Sequence, residues 1–86
     1  MASVEQVRAG ISLANDKASE SIGALQQAAT AIEQAQTAFA AAAEGSTQSD
    51  AEQINAMFAQ ALRGINEVQQ SVSSAMSSAE SYANRL

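Results

Sequence analysis

From Val4 onward every seventh residue is apolar, through Ile11, Ala18, Leu25, Ile32 and Phe39. A period of seven is two helical turns at about 3.5 residues per turn, the spacing of helices that lie along one another, and a strand with its period of two does not reproduce it. Taking these residues as heptad position a, the row three residues on, position d, reads Val7, Ala14, Ser21, Ala28, Ala35 and Ala42. A second frame opens at Ala51 and gives an a row of Ala51, Phe58, Ile65, Val72, Ala79 and Leu86, with Ile54, Ala61, Val68, Ala75 and Tyr82 at d. The composition favours long helices: there is no Pro, there are only four Gly, and half of the 86 residues are Ala, Ser or Gln. Pro and Gly cost roughly 1–3 kcal/mol each inside a helix, and their scarcity leaves little to interrupt one.

One interruption stands out. Gly45-Ser46-Thr47-Gln48-Ser49 separates the two frames, with Gly45 suited to the left-handed conformation that ends a helix and Ser49 suited to cap the next. Ser49 precedes Glu52 by three residues, as Ser3 precedes Gln6, so both helices open on a capping-box pattern. The expected architecture is all-α: a single domain over residues 1–86, with helices at about 3–44 and 49–86. Each would be roughly 60 Å long at 1.5 Å per residue, and the short connection makes the pair antiparallel. A register in which facing numbers sum to 93 sets every a residue opposite a d residue, for example Phe39 against Ile54, Leu25 against Val68 and Ala28 against Ile65. Two helices alone bury little surface for their length, and assembly into a four-helix or larger bundle is the expected remedy.

The residue types narrow the chemistry. Without His or Cys the chain lacks the common metal ligands, any thiol nucleophile and the usual proton shuttle near neutral pH. No catalytic, cofactor or metal residues are expected, and the chain reads as a non-enzyme. Net charge is −5, and residues 18–62 carry Glu20, Glu33, Glu44, Asp50 and Glu52 with no Lys or Arg. Arg8, Lys17, Arg63 and Arg85 form no basic stripe, which argues against a nucleic-acid partner. The longest apolar run, Ala38 to Ala43, is far short of the ~20 residues of a membrane span. Glu5 and Arg8 stand where a cleaved signal peptide would place its apolar core, so the expected location is the cytoplasm, or outside the cell by a route without such a signal.

Several clusters invite a functional reading. Glu44, Asp50 and Glu52 near the turn lack the ligand spacing of a calcium loop and read as solvated acids beside a helix N-terminus. Ser71, Ser73, Ser74, Ser77, Ser78 and Ser81 fall off the a and d rows and read as a polar face. Tyr82, at a d position near the open end, reads as a core residue with its hydroxyl in water. Apolar residues at position e carry more weight, because an a/d seam does not require them. Ile22, Ala29, Leu62, Met76 and Ala83 are the expected interaction residues, gathered on one flank of the hairpin.

A hairpin of two long helices in fewer than a hundred acidic, cysteine-free residues resembles the small Trp-Xaa-Gly (early-secreted-antigen-like) proteins of type VII secretion, although the turn Ala43-Glu44-Gly45 has no Trp. In wording the chain is more similar to an uncharacterised actinobacterial helical-hairpin domain, which also stands at the N-terminus of deaminase-type secreted toxins. The segments that carry this resemblance are Met1 to Ile11, Leu13 to Ala18, Glu44-Gly45-Ser46 and Tyr82-Ala83-Asn84-Arg85-Leu86. It implies trafficking or assembly beside a secreted toxin or effector, with no catalytic residues. The functional expectation is an interaction module that pairs with itself or with a related helical protein; the alternative is a structural coiled-coil oligomer, a bundle or filament subunit without cargo.

Overall fold

The computed structural model describes residues 2–45 and 49–86. It contains two helices, α1 (Val4–Ala42) and α2 (Ser49–Arg85), packed side by side as an antiparallel hairpin 64 Å long and 17 by 16 Å across. Ser3 caps α1 as expected: its hydroxyl accepts from the Gln6 backbone N–H at 3.1 Å, and the Gln6 side chain accepts from the Ser3 N–H at 3.0 Å. At the other end the Ala43 N–H still donates to the Phe39 carbonyl at 2.9 Å, and Gly45 turns the chain out with φ +84, in the left-handed region where a Cβ is disfavoured. Residues 46–48, on which most of the expected turn falls, lie outside the described residues. Ser49 is already the first residue of α2, one place later than a cap would stand, and Asp50 and Glu52 occupy its first turn, where the helix dipole favours acids.

The seam differs from the a/d expectation. In both helices the half-buried residues fall mainly at a and e, the small Ala59 and Gly64 of α2 being half-buried outside these rows: in α1 they are Ile11, Asn15, Ala18, Ile22, Leu25, Ala29, Ile32, Gln36 and Phe39 in unbroken alternation. In α2 the same alternation runs from Ala51 through Asn55, Phe58, Leu62, Ile65, Gln69, Val72, Met76 and Ala79 to Ala83. The d rows point outward, with every member from Ala14 to Ala42 and from Ile54 to Tyr82 exposed and only Val7 half-buried.

Contacts between the helices agree with this. Arg8 Nε donates to the Ala83 carbonyl at 3.3 Å, Asn15 Nδ2 to that of Met76 at 3.3 Å and Gln36 Nε2 to that of Asn55 at 3.4 Å, and all six residues are at e. Phe39 and Phe58, both at a, bring their rings to a centroid separation of 6.3 Å at a 50° tilt, within the range favoured for aromatic pairs. The numbers of the three hydrogen-bonded pairs sum to 91 and those of the two rings to 97, on either side of the expected 93, and the positions that meet are e with e and a with a in place of a with d. The helices thus keep close to the expected axial register, and each is turned about its own axis so that e and not d faces the seam. Positions d and e lie roughly 50° to either side of a, so a modest turn about each helix axis exchanges one row for the other.

Candidate interaction surface

The five residues expected on an outer flank, Ile22, Ala29, Leu62, Met76 and Ala83, are all half-buried members of the e rows. They line the hairpin's own seam, because e and not d completes the contact between α1 and α2. Tyr82 moves the opposite way: it is 49% exposed and belongs to the outward d row.

The two long flanks of the hairpin have opposite character. On one side run the b rows, Glu5, Ser12, Ser19, Gln26, Glu33 and Ala40 in α1 with Glu52, Ala59, Asn66, Ser73 and Glu80 in α2. They share a flank: one shallow groove is lined by Gln26 together with Asn66 and Ser73, and another by Ser12 together with Glu80. The antiparallel geometry places the d rows together on the other flank. There Val7, Ala14, Ala28, Ala35 and Ala42 stand beside Ile54, Ala61, Val68, Ala75 and Tyr82, with Ser21 the single polar member of the two rows. Ile54, Val68 and Tyr82 are 36–49% exposed, and Met57, next to this strip at position g, is 67% exposed. A row of apolar side chains spread along a 64 Å molecule is a different object from scattered surface Leu or Val, and continuous strips of this kind mark binding surfaces.

The remaining candidates form no such strip. Among the described residues no three Asp or Glu side chains converge as a metal site, and the one ion pair, Lys17 with Glu20 at 3.5 Å, is solvent-exposed, where such pairs contribute about 0–1 kcal/mol. The serines from Ser71 to Ser81 are all exposed, as expected. No described helix is both long and apolar enough to cross a membrane. Among the described residues none is fully buried, so the hairpin has a seam but no closed core.

Fold and surface together define an antiparallel helical hairpin with one apolar and one polar flank. No protein-family model matches the chain, and neither a curated protein nor a solved structure is significantly similar to it.

Proposed function

We propose that this chain is a non-enzymatic helical interaction module whose working surface is the flank formed by the two d rows, and that it serves the trafficking or assembly of a secreted effector. The observation that carries the module reading is the contrast between the flanks, ten of eleven d-row residues apolar against nine of eleven b-row residues polar. A hairpin folding only for itself has no need of that asymmetry. Ile54, Val68 and Tyr82 are 36–49% exposed, so covering what remains of each offers roughly 0.5–1.5 kcal/mol, a contribution that a helical partner along the whole strip would add to. The effector role rests on the resemblance to the N-terminal segments of secreted toxins.

The test is affinity capture from the native host with the parent chain and with Ile54→Glu/Val68→Glu. The expected result is a co-purifying effector or helical protein that the parent retains and the double variant loses. Recovery of the chain alone would favour a structural oligomer without cargo, and equal recovery by both proteins would remove the flank from consideration.

A further inference from the structure

The relief of the flank bears on the partner it would fit. The d row of α2 alternates large and small, with Ile54, Val68 and Tyr82 separated by Ala61 and Ala75, whereas that of α1 is a trough of small residues from Ala14 to Ala42. In the antiparallel register Ala42, Ala28 and Ala14 stand within one helical turn of the levels of Ile54, Val68 and Tyr82. Each hairpin thus carries a ridge and, beside it at matching heights, the hollows that would receive one.

We infer that the flank docks a second copy of this chain about a two-fold axis parallel to the hairpin, with both turns at the same end and α1 of each copy against α2 of the other. This rests on the interaction-module reading and names its partner. The rotation lays the ridge of each copy over the trough of its mate, twice in one interface. The other two-fold arrangement, with the turns at opposite ends, sets ridge on ridge and trough on trough. Centred on Val68, it sets Val68 against Val68 and Ile54 against Tyr82, and only an axis moved half a heptad along the row would bring Ala61 and Ala75 opposite them, whereas the parallel axis matches large to small without any shift. Matching large side chains to small ones allows adjacent helices to interdigitate.

Area and charge favour the same occupant. The d rows span about 50 Å, from Val7 to Ala42 at 1.5 Å per residue, and a strip of that length about one helix, ~10 Å, wide amounts to about 500 Å² per copy and about 1,000 Å² for the pair, the lower bound for a specific interface. The d rows contain no ionisable group except the Tyr82 phenol, so pairing two of them strands no buried charge despite the net −5 of each chain. Any other partner would need an uncharged strip of similar length, and this chain supplies one itself.

The chain has no cysteine, so Glu44→Cys places a single spin label beside the turn, on an exposed position away from the d rows. The proposal expects a dimer by light scattering and a label separation within about 30 Å, a few interhelical spacings of 8–10 Å. A separation near the 64 Å molecular length would overturn it in favour of turns at opposite ends. In the unlabelled chain, Ile54→Glu/Val68→Glu should weaken the dimer at least 100-fold, while Gln26→Glu/Ser73→Glu on the polar flank should leave its mass unchanged. The label measurement on the intact flank decides the geometry even if the double Glu variant fails to fold. A monomer at millimolar concentration would overturn the second copy. The module reading would then survive only if the capture experiment still returned a partner that depends on the flank, and a dimer indifferent to the flank substitutions would overturn both.

Discussion

Asn55 places a polar side chain inside the seam, with its Oδ1 shielded from solvent and without a hydrogen-bond partner. Its own backbone carbonyl accepts from Gln36, but that bond does nothing for the amide oxygen. A shielded acceptor left unpaired costs about 1–3 kcal/mol, which Asn55→Leu should recover in part, raising the melting temperature by several degrees in a circular-dichroism melt. The same change should loosen the register, since a polar residue in a helical seam penalises pairings that leave it in a worse place. An Asn55→Leu protein that melts lower than the parent would mean that the amide is better satisfied in solution. Gly45 carries the opposite expectation. At φ +84 a Cβ crowds the backbone, and Gly45→Ala should cost about 1 kcal/mol although nothing lies within 4 Å of the position a methyl would take.

For the elements, what a reader of the sequence sees and misses has a physical basis. Helix ends are legible because caps are local chemistry: Ser3 with Gln6, and Gly45 after α1, act through neighbouring residues. The a rows are legible because their large side chains keep the heptad in both helices. The second row of the seam is not, because e contains Arg8, Asn15, Gln36, Asn55 and Gln69, whose polar ends suggest a solvent face. Several of these side chains instead cross to carbonyls of the facing helix, so polar residues are part of the contact. Alanine misleads in the other direction, since its single methyl suits a tight seam and an outer surface equally, and the d row of α1 is mostly alanine. The exposure of the d rows is hidden for the same reason, because their heptad spacing reads as core. Substitutions separate the two rows. Leu62→Ala in the seam should cost about 1–2 kcal/mol, below the usual core value because the site is only half-buried, whereas Ala28→Glu should leave the hairpin itself intact. Denaturant melts at high dilution report on this difference, and equal losses for the two variants would restore an a/d seam.

At the scale of the whole molecule, side-by-side docking makes a definite statement about shape. The hairpin has a Cα radius of gyration of 19.5 Å, set almost entirely by its length. A second copy alongside with turns together doubles the mass without extending the particle, so X-ray scattering should give a maximum dimension close to that of one hairpin. End-to-end or staggered association would lengthen it, and a filament would have no fixed length. The same arrangement gathers Glu44, Asp50 and Glu52 of both copies at one end. Exposed like charges closer than a few Debye lengths repel, so added salt should tighten the dimer modestly, as measured by sedimentation at 0.05 and 0.5 M NaCl. Weakening by salt would show that attraction between charges, and not the apolar flank, holds the copies together.

The aromatic contact between Phe39 and Phe58 also bears on how quickly the chain finds its structure. The two rings meet across a loop of 19 residues, whereas Arg8 and Ala83 at the open end are 75 apart. Closing a loop costs about 0.6 kcal/mol more for each doubling of its length, so the shortest closure between large side chains lies here, two turns of helix from the bend. The hairpin should close like a zip from this point, each layer shortening the search for the next, with the layers around Ile11 engaged last. Stopped-flow kinetics on the dilute chain would resolve the order: Phe39→Leu should chiefly slow folding, and Ile11→Val should chiefly speed unfolding. The ends of the two strands of this zip are then the first to part, and it is there, farthest from the bend, that amide exchange should be fastest.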